Sequence, residues 1–518
     1  MVPDALSCAN ELGRSGDCAA ARRRYQDLLC ETSDERSRQR LLNNFAVIEA
    51  AAGRRETARH LWTQACADSL PSTAPHHATF LTQGNTGNPA ERTCRRVAIV
   101  SLLFNWPSTG GGTVHTKELA EFLERDGYGV RHYFAVFAPW NIGQIREDLS
   151  ACHVPVAFGE DEWHPAIIRE RFRHAVNEFE PDAVIVTDSW NTKVILAEAV
   201  CDHPYYIRIA AQECLCALNN VRLLPGPAGP ICCPRNQLAQ PRDCRTCVAT
   251  YGETMSGALH QADRELAGFM SSDYALRLRE VFRRAEGVLV INPQIAHQVE
   301  PYARAVHVIP SGFDRNRFPE SLAVPPAADR PRKRIMFAGL IDEYMKGFSV
   351  LQEAGERLWQ TRQDFEIWVT ADERQDSSEF LRYIGWQSQH QLPERIAECD
   401  ILAFPTFAEE ALGRTAVEAM GCGRPVVASR LGGLPWVVED GRTGLLCEPG
   451  DPVDLANKLM QLLDDPILRR TLGTAGREKF LREFTWEQMI AHRYRPLLGD
   501  PQTAASPTDS RHSPQLAD

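Results

Sequence analysis

Two glutamates, Glu410 and Glu418, are separated by seven residues in FAEEALGRTAVEAMGCGRPVVAS (407–429). Carboxylates so spaced can be an acid/base couple, two ligands for one polar substrate, or ordinary charges on a helix surface. Gly413 reads as the end of a loop, and the pattern predicts a helix from Arg414 or Thr415 to about Met420. Gly421 and Gly423 stop that helix, and Pro425 opens a strand. Glu410 then precedes the helix while Glu418 lies about one turn inside it, so the two share no helix face. The free amides of the helix start open into the same space and favour an anionic group such as phosphate.

Two other stretches carry compatible chemistry. In FAGLIDEYMKGF, Lys346 is one of only six lysines in the chain and stands just ahead of a predicted helix. A lysine there either neutralises a negative ligand or stays a solvated surface charge. In NWPSTGGGTVH (105–115), Gly110, Gly111 and Gly112 precede a helix start, which lets backbone amides approach a ligand closely. The spacing is not that of the dinucleotide fingerprint, so a nicotinamide cofactor is not indicated.

The elements that must position these residues are legible as short β-branched runs alternating with helical patterns. RVAIVSLLF (96–104), a helix from about Thr113 to Glu124, DAVIVT (182–187), GVLVI (287–291) and VHVIP (306–310) form one series. After the Pro-rich connector PESLAVPPAADRPRK (319–333), a second series holds RIMFAG (334–339), FEIWVT (365–370), DILAFP (400–405) and RPVVAS (424–429). Apolar strands alternating with helices imply α/β parallel sheets of the doubly wound kind, and two series imply two Rossmann-like domains. In such sheets ligands bind beyond the carboxyl ends of the strands, where all three stretches fall.

Ahead of them, residues 1–68 read as a small all-α region with an internal echo. Gly16, Ala21 and Tyr25 recur as Gly53, Ala58 and Trp62, which is similar to degenerate tetratricopeptide repeats; a chance echo in an amphipathic helical extension is the competing reading. Residues 69–95 are a Pro/Ser/Thr/Asn/Gly-rich linker, and residues 499–518 are expected to be disordered.

The chain has 518 residues, which predicts two to four domains. It is 43% hydrophobic, carries a net charge of −11 and has no long basic run, which argues against nucleic acid as a partner. No segment approaches the roughly 18 apolar residues of a membrane span. The start, MVPDALSCAN, lacks a secretory pattern, so a cytoplasmic location is expected, with peripheral membrane association left open.

With these features in order, the sequence resembles a retaining, sugar-nucleotide-dependent glycosyltransferase of the GT-B fold, in glycosyltransferase family four. The likeness runs from about Val97 to Leu498. EALGRTAVEAMGCGRPVVAS is similar to the family's Glu-x7-Glu signature, supported by GGGTVHTKELAEFLERDGYGV, VIPSGFDRNRF, KGFSVL and LGGLPWVVEDGRTGLLCEPGDP. FTWEQMIAHRY resembles the final helix, which in this fold crosses back to the N-terminal domain.

The resemblance implies two domains facing a cleft: an acceptor domain at 96–312 and a donor domain at 313–482, with the crossing helix at 483–498. It implies that Glu418 binds ribose hydroxyls and Glu410 the donor sugar, with the backbone of Ala411, Leu412 and Gly413 near sugar and phosphate. Lys346 would neutralise the diphosphate, Gly110 and Gly111 would approach its phosphate, and His115 would lie near the reaction centre. His115, Lys346 and Glu410 are the catalytic candidates. The nucleotide sugar is a co-substrate of unknown base and sugar, and no catalytic metal is expected. In the front-face mechanism proposed for such enzymes, an oxygen of the leaving diphosphate helps deprotonate the acceptor. The acceptor class stays open between a small molecule, a lipid-linked group and a peptide or carrier; the helical N-terminal region raises a protein partner.

Four residues depart from the family. Leu340 stands where an arginine usually clamps the diphosphate, and Arg414 is the candidate substitute. Trp436 replaces a frequent glutamate, and Gln212-Glu213 replaces a His-Asp pair. The glycosidase reading fails, because glycosidase carboxylates flank the scissile bond from opposite sides. A nucleotide-sugar epimerase, and an inactive GT-B pseudo-enzyme acting as an adaptor, compete with the transferase reading.

Of 16 cysteines, Cys214, Cys216, Cys232, Cys233, Cys244 and Cys247 fall within an insert at 212–247. Cys244 and Cys247 have the spacing of half a zinc site, and Cys232 with Cys233, or Cys214 with Cys216, could complete it. A structural zinc on Cys232, Cys233, Cys244 and Cys247 is one reading; reduced thiols packing an irregular loop, and a disulfide, are the others.

Overall fold

A computed structural model of the chain describes residues 18–31, 41–42, 44–46, 94–108, 110–150, 152–226, 230–325, 330–374 and 378–502. Of the N-terminal echo, Gly16, Gly53, Ala58 and Trp62 lie outside the described residues. Ala21 and Tyr25 belong to helix α1 (Cys18–Glu31) and are buried, with the Tyr25 ring stacked on Phe45 at 5.5 Å.

The first series of apolar runs builds a seven-stranded parallel sheet. Its strands are β1 (Arg96–Ser101), β2 (Gly129–Val136), β3 (His153–Ala157), β4 (Ala183–Val186), β5 (Tyr205–Ile209), β8 (Gly287–Val290) and β9 (Val306–Val308). A two-stranded hairpin, β6 (Leu223–Leu224) and β7 (Ile231–Cys232), interrupts the series within the cysteine insert. The sheet order is β3-β2-β1-β4-β5-β8-β9, with Val97 opposite Ala183 and Val100 opposite Val186. The second series makes a six-stranded parallel sheet from β10 (Lys333–Phe337), β11 (Phe365–Val369), β12 (Leu381–Tyr383), β13 (Ile401–Phe404), β14 (Val426–Ser429) and β15 (Gly444–Cys447). Its order is β12-β11-β10-β13-β14-β15. Central strands such as Ala183–Val186 and Val426–Ser429 are buried along their whole length, as helix-covered parallel strands must be.

Each order reverses beside its first strand, between β1 and β4 in one sheet and between β10 and β13 in the other. Strand ends diverge at such a switch point and leave a crevice between the loops that follow. Gly110 and Asp188 follow β1 and β4; Lys346 and Glu410 follow β10 and β13.

The segment 486–498 returns from the second sheet and lies on the first. Trp486, Ile490, Tyr494 and Leu498 share an apolar cluster with Val97, Ile99 and Leu119. The Trp486 indole is fully buried and donates to Glu118 at 2.9 Å. Composition predicts disorder from Gly499, but residues 499–502 are tied down: Arg95 N donates to the Pro501 carbonyl at 3.0 Å, and Tyr128 bonds the Gly499 carbonyl. A short pairing with the start of β1 satisfies backbone groups that composition alone assigns to solvent. Among the described residues, no helix is long and apolar enough to cross a membrane.

Candidate functional site

The loop after β10 is a single helical turn, Tyr344–Lys346, closed by Gly347 at φ +77°. A Cβ on Gly347 would stand 1.8 Å from the Pro405 carbonyl oxygen, so only glycine lets this turn press against the end of β13. Phe407 N and Thr406 Oγ1 donate to the Met345 carbonyl at 3.0 and 2.9 Å. These bonds bring two stretches distant in sequence into one site, where Lys346 forms an ion pair with Glu410. Burial works against the Lys346 ammonium, yet the Glu410 carboxylate outweighs it and raises the pKa.

Helix α2 (Gly111–Arg125) follows β1, and helix α4 (Arg414–Gly421) follows the Glu410 loop; α3 (Pro241–Met255) lies between them in sequence, in the cysteine insert. Ala411, Leu412 and Gly413 lead into α4 and are buried. Glu418 is also buried, and burial raises its pKa against the pull of Arg414 and Arg317. Arg317 stands 3.7 Å from Glu418 and 3.9 Å from Glu118, linking the two domains.

Arg414, first residue of α4, crosses to the other domain. Its guanidinium lies 4.3 Å from the Phe313 ring centroid, and a Cβ on Gly111 would stand 2.8 Å from its Cδ. Both terminal nitrogens of Arg414 are buried without a hydrogen-bond partner. A guanidinium with unspent donors, at the start of a 15-residue helix, is suited to a phosphate. Leu340 is 42% exposed at the mouth of the second sheet.

His115 occupies the second turn of α2 at 1% exposure. Its Nε2 stands 3.2 Å from the Tyr494 hydroxyl, and its ring 4.9 Å from Trp486. Burial, then Arg208 and Arg414, hold its pKa well below the ordinary value and keep the ring neutral. The residue is therefore near Arg414 but enclosed beneath the returning segment. Trp436 packs edge-on against Phe484 at 5.9 Å.

Sequence reasoning passed over Asp188. It follows β4 in a left-handed conformation, φ +34°, with Oδ2 buried and unpartnered, and a Cβ on Gly112 would stand 3.0 Å from Oδ1. Burial pushes its pKa from 3.8 to about 7, partly offset by Lys193. The signal was available: an aspartate immediately after an apolar run that ends at the switch point. Glu213 accepts from the amides of Ala210 and Ala211 at 2.8 and 2.7 Å and stands 3.7 Å from the buried Lys193.

The proposed zinc quartet is not assembled. Cys232 directs its thiol at the Phe407 carbonyl, 3.8 Å away, and burial, with smaller contributions from Cys216 and Cys233, raises the pKa of Cys244 and Cys247. Cys232 ends β7 and Cys233 follows it, its backbone amide donating to the Arg222 carbonyl at 2.7 Å. Among the described residues, no group of three or more His, Cys, Asp or Glu is placed to hold a metal ion. All six insert cysteines are free thiols.

Comparison with known proteins bears on this geometry. Residues 332–465 match the family model described as Glycosyl transferases group 1. The group 1 match covers Lys346, Glu410, Arg414 and Glu418. The chain is 31% identical over 199 residues to the phosphatidyl-myo-inositol mannosyltransferase of Mycobacterium leprae, covering 36% of this chain and 52% of that protein. It is 32% identical over 212 residues to the D-inositol 3-phosphate glycosyltransferase of an Arthrobacter strain, covering 36% and 48%. The chain thus spans about half the length of these relatives. Among solved structures it superposes on sucrose-phosphate synthase of Thermosynechococcus elongatus with a TM-score of 0.54 at 19% identity, covering 78% of this chain and 99% of that one. It superposes on the Anabaena protein HepE in complex with UDP-glucose with a TM-score of 0.51 at 17% identity and the same coverage. These likenesses place the two parallel sheets in the GT-B architecture.

Proposed function

We propose that the protein transfers a glycosyl unit from a nucleotide sugar to an acceptor, with retention of anomeric configuration and without a catalytic metal. The observation that carries this reading is the meeting of Lys346, Glu410, Glu418 and Arg414 at the second sheet's switch point, opposite the start of α2. A sugar nucleotide presents hydroxyls at both ends and a diphosphate between, and the site presents carboxylates at both ends and cations between. Glu410 binds the donor sugar, Glu418 the ribose, and Lys346 the diphosphate. Arg414 with the amides of Gly110 and Gly111 supplies the charge stabilisation that Leu340 does not. His115, enclosed and neutral, holds the start of α2 in place from behind.

The group 1 match supports the donor class, as do a Corynebacterium glutamicum mannosyltransferase, 30% identical over 204 residues and named as GDP-mannose-dependent, and HepE, which was solved with UDP-glucose. Incubation of the full-length protein with a panel of UDP-, GDP- and ADP-sugars tests the reading. Hydrolysis or transfer with at least one donor, with the anomer followed by NMR, is expected. No turnover with any donor, combined with no binding of the corresponding nucleotides, would leave the pseudo-enzyme reading standing instead.

A further inference from the structure

Glu409 and Glu410 are adjacent, yet their carboxylates are used by different domains. Glu410 pairs with Lys346 inside the second domain. Glu409 turns the other way and is held by three side chains of the first: Arg222 at 3.1 Å, Gln294 at 3.3 Å and Gln212 at 3.5 Å.

Arg222 is the centre of this grip. It belongs to the cysteine insert, just ahead of β6, and adopts φ +55°, an unfavourable conformation for a side chain of this size. Its side chain is 4% exposed and that of Glu409 is 11% exposed. The guanidinium also donates to Gln298 Oε1 at 2.8 Å and to the carbonyls of Cys233 and Arg235 at 2.7 and 3.0 Å. One residue thus ties the hairpin of the insert, the body of the first domain and the donor loop of the second. The Cys232 thiol facing the Phe407 carbonyl adds a second contact between insert and loop. A buried guanidinium stripped of its carboxylate leaves an uncompensated charge, so the loop and the insert hold each other in place.

We propose that the cysteine insert is a positioning element for the donor loop, in which Arg222 grips Glu409 and thereby holds the neighbouring Glu410 against Lys346. The inference rests on the donor reading of Glu410 above. Arg222 is a positioning residue: it acts on the donor through the loop.

Hydrogen exchange of the 408–413 amides in the full-length protein, without added ligand, tests the grip directly. Arg222→Met and the isosteric Glu409→Gln are each expected to speed that exchange by about tenfold or more. The double variant should loosen the loop less than the product of the two singles, since it leaves no unpaired charge. If Arg222→Met fails to fold, Glu409→Gln alone decides. Unchanged exchange in Glu409→Gln, or strict multiplicativity, would overturn the grip. Calorimetric titration with UDP-glucose and with GDP-mannose then reads the consequence: affinity for whichever nucleotide sugar wild type binds should fall about tenfold in Glu409→Gln. Equal affinity despite a loosened loop would overturn the positioning role. A wild-type protein that binds neither nucleotide sugar and turns over no donor removes the glycosyltransferase reading, while the exchange rates still decide the grip.

Discussion

Arg414 reaches so close to Gly111 that a Cβ on that glycine would stand 2.8 Å from the arginine's Cδ, although the two residues belong to different domains. The guanidinium rests on Phe313 with two buried, unpartnered terminal nitrogens. A cation from the group 1 region is thus delivered to the start of a helix in the other domain, and this relationship organises the donor predictions.

Arg414→Ala is expected to weaken nucleotide binding by about ten- to a hundredfold, the scale of a lost charge-assisted clamp. Leu340→Arg, at an exposed position on the same mouth, should restore much of that loss in the double variant. Titration calorimetry with UDP and GDP reads both. Undiminished affinity in Arg414→Ala would rule out the substitution of one arginine for another.

Glu410→Gln and Lys346→Ala each break the ion pair at the loop. Both should lower kcat/KM for the donor by about a hundredfold or more, as expected for charge stabilisation at a reacting centre. Glu410→Gln should leave nucleotide affinity close to wild type, because the sugar and not the nucleotide loses its partner. Equal losses for nucleotide and nucleotide sugar would reassign Glu410.

Asp188 predicts a pH dependence of stability. Its folded pKa of about 7 lies above the ordinary 3.8, so between these values the folded protein holds a proton that the unfolded chain releases. Stability from this group is full below about 4 and is lost as pH rises through 7, with a slope of up to about 1.4 kcal/mol per pH unit. Asp188→Asn lacks that slope and should therefore gain stability relative to wild type between pH 5 and pH 8. Urea midpoints at the two pH values measure it; an equal gap at both would refute the burial of an ionising carboxyl.

Trp486 anchors the returning segment with a fully buried indole and a 2.9 Å bond to Glu118. Trp486→Ala should cost about 3–5 kcal/mol. It should also expose His115, whose ring lies 4.9 Å away, and move its titration toward the ordinary value. NMR titration of the histidine and chemical denaturation check the two effects separately.

Several features were legible from local chemistry. The helix expected from Arg414 or Thr415 to about Met420 runs from Arg414 to Gly421, because Gly413 and Cys422-Gly423 punctuate it locally. The apolar runs became strands with bounds shifted by a few residues. Strand β2 escaped notice because Arg131 and His132 interrupt its apolar pattern, although His132 is buried against Ser101 at 2.6 Å. That burial is supplied by the neighbouring strand and leaves no mark on local periodicity.

What the sequence determined by itself is therefore the class of the fold and the separation of Glu410, in a loop, from Glu418, in a helix. Both follow from short-range preferences: strand and helix periods, glycine stops and the free amides of a helix start. Tertiary structure alone decided which side chains meet. Arg222 and Glu409 are 187 residues apart in sequence, and Arg414 reaches Gly111 from a different domain. Cys232 meets the Phe407 carbonyl, 175 residues away in sequence, and not the thiols its spacing suggested. Such meetings depend on how two sheets face each other across a cleft, and no local pattern encodes that geometry.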